Sequence, residues 1–488
     1  MRLTQRLRRA PLLTASVLAF ALAACAARAT DQPPAQAGAT AAAPASDPGA
    51  AAPAAAQPAP DAAAPAPDAA QGAGGATAAA PSGAVEKGGA PAAPAVASAE
   101  WPQWRGPNRD GLAAGVAPPA AWPKELKPRW KVTVGIGHAS PVVSRGVVYQ
   151  HARQGEEEVL LALDAATGRE LWRAGAVAAP YEVNSAARDH GKGPKSTPAV
   201  SGGRVFTLGI AGLLSAHDAR TGRLLWRKDF SRQFPVTSPL YGTAMSPLVV
   251  GDAVVAHVGG HDKGALTAFD AATGAVRWTY DADGPAYSSP VVLTAGGERQ
   301  LVTFTQKELV AVSAATGAPL WRLPAKTGYD TNCNTPVVYK DMVVVSLEGQ
   351  GLVALRPARE GGRWAAREVW RNGENELYMN TPVLAGSTLY GLSARRKGQF
   401  FALDAATGKT LWQGPGRMGE NASLVNLGGT LLALTNDAVL YVLPAGAPSF
   451  APSAQYTVAT SQTWAHPVFL GDQVLVKDET TLASLSLK

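Results

Sequence analysis

One phrase recurs along this chain of 488 residues, and it restricts what the chain can fold into. It reads Leu163-Asp164-Ala165-Ala166-Thr167-Gly168, followed by Leu171-Trp172. Copies carry Asp218, Gly222 and Trp226; Asp270, Gly274 and Trp278; Gly317 and Trp321; and Asp404, Gly408 and Trp412. Recurrence at roughly 40–50 residues denotes an array of one supersecondary unit. Apolar runs on both sides of a tight turn make that unit a small antiparallel sheet. The aspartate can accept backbone N–H bonds across the turn, and the glycine takes the positive φ of a bulged hairpin. The tryptophan lies on the outer strand, where its face covers the neighbouring sheet and its N–H can reach a carbonyl. These residues read as structural rather than catalytic.

A second repeated phrase sets the register. Each unit opens with a small hydroxyl residue and then proline: Ser140-Pro141, Thr197-Pro198, Ser246-Pro247, Ser289-Pro290, Thr335-Pro336 and Thr381-Pro382. Ser423-Leu424 and His466-Pro467 hold the last two positions. Proline is tolerated at the first residue of a strand, where its missing N–H breaks no ladder bond. Eight openings predict eight sheets, the last short of one strand. Pro128-Arg129-Trp130-Lys131-Val132 precedes the first opening and can supply it, which removes the open edge. The expectation is an all-β, eight-bladed β-propeller of four-stranded antiparallel blades, within a domain covering residues 100–488.

The front of the chain reads differently. Arg2, Arg6, Arg8 and Arg9 precede an apolar stretch from Ala10 to Ala24, too short to span a bilayer and shaped like a signal peptide. It ends Leu22-Ala23-Ala24-Cys25, which resembles the lipobox of bacterial lipoproteins. That resemblance implies cleavage after residue 24 and lipidation of Cys25. Ala26, rather than an aspartate, then implies sorting to the outer membrane. Residues 26–99 are rich in alanine and proline, cannot bury a core, and read as a disordered tether. Cys333 is the one cysteine left and reads as a free thiol in packing. Counted through Glu100, bases and acids balance in the front of the chain, so the formal charge of +7 sits on residues 101–488. Spread over eight blades it does not suggest nucleic acid.

Segments entering the first strand of each blade should converge at one end of the central channel. The third residue before each opening proline should face that mouth: His138, Lys195, Ala244, Tyr287, Cys333, Met379, Asn421 and Trp464. The entry segments add Tyr181, Glu182, Asn184, Arg188 and His190, then Asn334, then Glu374, Asn375, Tyr378 and Asn380, then Glu420. Binding residues sit on loops held by a rigid frame, so this face is the candidate site. Plain solvated loops are the alternative. No catalytic set and no metal cluster emerges; His257 and His261 bridge a strand end rather than a helix. Glu182, Glu374 and Glu420, with Asn184, Asn375 or Asn421, could hold calcium, but no spacing supports it.

The Asp164–Trp172 phrase and its copies resemble the repeat of the pyrroloquinoline-quinone-like (PQQ-like) propeller superfamily. That group includes quinoprotein alcohol dehydrogenases and BamB, a lipoprotein of the outer-membrane assembly machine. The segment from Trp101 to Gly111, with Gln103, Trp104, Arg105 and Pro107, resembles the opening of exported members of the group. It is expected to dock on the outer face. The dehydrogenases use adjacent cysteines, a calcium held by Glu and Asn, and an aspartate base; Cys333 has no cysteine beside it. The resemblance to BamB therefore implies a non-catalytic, lipid-anchored scaffold for envelope proteins, outer-membrane assembly components among them, with no cofactor. A quinone-dependent alcohol or sugar dehydrogenase, and a propeller binding a small ligand or glycan, are the alternatives.

Overall fold

The structure, a computed structural model, describes residues 100–234 and 240–488. Cys25, the expected signal peptide and the expected tether lie outside the described residues. Among the described residues the strands form eight four-stranded antiparallel sheets. Blade 1 is typical: Val142–Ser144, Val147–Gln154, Glu157–Asp164 and Glu170–Val177, from channel to rim. The expected eight-bladed propeller is the fold.

Middle strands such as Ala253–Gly260 are buried along their whole length. Blades pack face to face, so both faces of a middle strand are covered, and its sequence runs apolar without alternating. The outer strand Glu170–Val177 instead alternates half-buried and exposed residues. The core is accordingly divided among the seams. Phe206 and Leu208 of one blade pack with Val254, Ala256 and Phe269 of the next.

The repeated turn performs two tasks. Asp164 Oδ1 accepts from the Ala166 and Thr167 amides at 3.1 and 2.9 Å and from the Thr167 hydroxyl at 2.7 Å. The same set recurs at Asp218, Asp270 and Asp404. The turn's next backbone carbonyl reaches sideways. Trp130, Trp172, Trp226, Trp278 and Trp370 each donate Nε1–H to the carbonyl of the residue after Asp (or Ser313) in the following blade, at 3.1–3.3 Å. The indole face then lies over the turn glycine. Gly222 has φ +74°, and a Cβ there would stand 2.5 Å from Trp172 Cε3. That position requires glycine for its backbone and for its neighbour alike.

Three blades depart from the pattern; the outer strand of the seventh, Ala454–Thr457, has no tryptophan. Trp321 donates to the Gln300 side chain of its own blade, at 2.7 Å. The reason lies in the following blade, where a long hairpin, Gly351–Glu360 with Arg363–Asn372, replaces the tight turn. Trp412 meets the Ala447 carbonyl, outside any copy of the phrase, at 2.9 Å.

The ring closes as the sequence implies. Pro128–Thr133 pairs antiparallel with Thr481–Ser486, Trp130 lying opposite Ser484. Trp130 and Trp101 join one apolar cluster that spans the seam from Val442 through Leu475 to Leu161.

Candidate functional site

The hydroxyl before each opening proline has a task that the sequence reading missed. In six of the eight blades the backbone N–H at this position donates to the hydroxyl of the next blade. Ser140 donates to Thr197, Thr197 to Ser246, Ser246 to Ser289, Ser289 to Thr335 and Thr335 to Thr381, at 2.9–3.2 Å. His466 N–H donates to Ser140 at 2.9 Å, carrying the series across the closing seam. These bonds tie the inner strands into a belt, which fixes whatever projects from the residues just before it.

The segment 101–113 enters this channel. Docking on the outer face was expected, and the structure corrects that. Trp101 pairs with Val143 of blade 1 and Leu112 with Asn426 of blade 7, both on innermost strands. The Arg105 guanidinium donates to the carbonyls of Thr381 and Pro382, at 2.9 and 2.6 Å. Arg109 reaches across the ring to the carbonyls of Ser246 and Pro247, at 3.0 and 2.9 Å. The two guanidiniums lie 5.5 and 5.7 Å from the Trp104 ring centre, a cation–π arrangement. Opening-strand carbonyls face the channel axis and want donors; two arginines in one short segment supply them. Burial pulls these arginines down to about 10 and about 9, so both stay charged near neutrality.

Above this plug lies a cavity of about 150 Å³. All eight residues expected at the mouth line it: His138, Lys195, Ala244, Tyr287, Cys333, Met379, Asn421 and Trp464. Trp104 and His466 line it as well. His190 and Tyr241 complete one wall; the first was expected, the second was missed because it sits in the irregular entry to blade 3. The rings form a continuous belt. Trp464 lies 4.7 Å from His190, His190 4.9 Å from Tyr241, and Tyr241 5.3 Å from Tyr287. His138 stands 5.6 Å from His190. Close backbone crossing makes this possible: the His138 and Ala139 amides donate to the Pro194 carbonyl, and a Cβ on Gly193 would strike Gly137 Cα at 2.4 Å.

The cavity lining is basic and offers a metal no carboxylate. Among the described residues no aspartate or glutamate lines it, and no group of His, Cys, Asp and Glu is placed to hold a metal ion. Lys195 Nζ donates to the Gly191 carbonyl at 3.2 Å, and burial lowers its pKa to about 7. Burial, then Lys195, depresses His138 and His190. Burial, then Arg105, takes His466 to about 3. Burial pushes the Cys333 thiol up, so it stays protonated.

The other expected site residues are not brought together. Asn334 braces its own blade through both backbone groups of Ser346, at 3.0 Å. Asn375 is spent on Asn372, Thr410 and Gln413. Asn184 caps the short helix Ser185–His190, and Tyr181 packs over Gly242. Asn380 is buried outside the cavity lining. Glu182, Arg188, Glu374 and Glu420 are exposed; Tyr378 is half-exposed and is the exception, its side chain hydrogen-bonded with Tyr241 of the cavity wall. The carboxylates and amides expected for calcium are therefore not brought together.

A family model described as outer membrane protein assembly factor BamB matches residues 123–190 and 155–414. The chain belongs to this PQQ-like propeller family. BamB of Shewanella oneidensis is 28% identical over 228 residues, covering 44% of this chain; the match spans 55% of that relative's length. Among solved structures, BamB from Moraxella catarrhalis superposes with a TM-score of 0.54 at 16% identity, over 74% of this chain and 98% of that one. Quinohemoprotein alcohol dehydrogenase from Comamonas testosteroni gives 0.59 at 15% identity, over 80% of each. At such identities the structures speak for the fold alone.

Quinone-binding members of this PQQ-like family raise a question of fit. The cavity here is smaller than the roughly 300 Å³ at which cofactor-sized sites begin. Its lining offers no carboxylate for calcium. These residues do not fit the quinone with its metal, and no redox step follows from them.

Proposed function

We propose that this propeller is a protein-binding scaffold of the bacterial cell envelope, acting in outer-membrane protein assembly. One observation carries the reading besides the family: the mouth face presents large aromatic side chains on braced loops. Tyr329 is 78% exposed and Tyr378 43% exposed, on the entries to neighbouring blades. The Gly328 amide is held by Glu348 and the Gly349 amide by Glu376, each at 2.7 Å, so these entries are fixed. Exposed tyrosines on rigid loops are what protein interfaces use, since they offer area at low entropic cost. Glu182, Glu374, Glu420 and Arg188 give the rim its charge. Lipid on Cys25 would hold the scaffold at the outer membrane, facing the periplasm, and residues 26–99 would give it reach.

The test is co-purification from detergent-solubilised envelopes. Y329A combined with Y378A is expected to cut recovery of outer-membrane assembly components at least about tenfold, since truncating a hot-spot tyrosine to alanine costs about 2 kcal/mol or more. The urea midpoint should move little, because Tyr329 is exposed and Tyr378 half-exposed. Recovery equal to the parent chain would contradict the reading.

A further inference from the structure

The channel cavity is lined by Lys195, three histidines and a group of aromatic rings. Its surroundings are cationic on several sides. Arg105 and Arg109 lie beneath Trp104 and donate to carbonyl oxygens, with Gln103 the one further acceptor, on Arg109. Lys477 is 1% exposed, and its Nζ meets the carbonyls of Gly137 and Asp478 at 2.9 and 2.8 Å. Lys195 stands in the wall itself. Glu158 acts on Lys195, and Asp478 and Glu479 act on Lys477, but no carboxylate lines the cavity itself, so only carbonyl dipoles offset these cations on that side. Three buried polar atoms of lining residues also have no partner: His138 Nε2, His466 Nδ1 and Asn421 Oδ1. Unsatisfied groups of this kind call for an occupant.

Shape adds to charge. At about 150 Å³ the cavity has room for several waters or one small organic molecule. Trp104, Trp464, Tyr287 and Met379 give it apolar surface. A single flat ring fits that description, and inorganic phosphate would leave the aromatic walls unused. We propose that the channel is a binding site for a small organic monoanion, a carboxylate on one aromatic or similar apolar body, held by Lys195 above the Trp104 floor. The carboxylate accepts from the Lys195 ammonium, and its body packs against the aromatic belt. The cations beneath the floor contribute field without contact, which favours an anion over a neutral body of equal shape.

Benzoate is the probe, titrated into the full chain by calorimetry, with benzamide as its neutral counterpart. Benzoate is expected to bind one to one, and benzamide at least about tenfold more weakly, the loss of one charge-assisted hydrogen bond. K195M should weaken benzoate at least about tenfold. If that variant melts early, a second readout uses the parent chain: acetylation of Lys195, followed by mass spectrometry with exposed Lys192 as reference. Benzoate should slow the first and leave the second unchanged. Equal binding of benzoate and benzamide, unchanged binding to K195M, or equal protection of both lysines would overturn the proposal. No partner protein enters this experiment, so its failure and that of the scaffold reading are separable.

Discussion

At the scale of the residue, burial decides how this protein responds to acid. His151, His257 and His466 are buried, and burial lowers them to about 3, about 4 and about 3. The unfolded chain takes up these protons near 6.5, the folded one does not. Stability is therefore complete above 6.5 and falls as pH drops towards 4, with a limiting slope of ~1.4 kcal/mol per pH unit for each histidine. Urea midpoints measured from pH 7 to pH 4.5 are expected to fall well before ordinary carboxylates titrate. The variant H466N should show a shallower fall than the parent. A flat profile over this range would show that these rings are not held neutral.

At the scale of the element, the closing strand concentrates what each blade does separately. Trp130 is 8% exposed, covers Gly168, and donates to the Ala165 carbonyl. Trp130→Ala is expected to cost ~3–5 kcal/mol, as for other large aromatic truncations. Trp130→Phe keeps most of the face and loses the N–H, at about 1 kcal/mol. Urea unfolding measures both; equal losses would mean that the indole face contributes nothing to closure. This strand was legible in the sequence because it completes a count: eight openings and one missing strand. The turn residues were legible because each blade solves the same geometric problem with the same side chains. The plug was not legible. It occurs once, so no period exposes it, and two tryptophans with arginines suit an outer face as well as a channel. The eight mouth positions were legible from register alone, since the belt of hydroxyls fixes them. Asn334 and Asn375 misled because a buried amide that braces a loop looks, in sequence, like a ligand.

At the scale of the whole molecule, the propeller is a rigid ring whose two ends differ. One end is stopped by residues 101–113; the other gathers the entry loops into an exposed, partly aromatic rim around a small cationic cavity. In the function proposed above, this rim docks an envelope protein. Site-specific photo-cross-linking in intact envelopes, followed by mass spectrometry, tests it most directly. A cross-linker at Tyr329 is expected to give one dominant adduct with another envelope protein, and one at exposed Val276 on an outer strand to give none. Adducts from position 276 alone, or the same adducts from both positions, would contradict the claim.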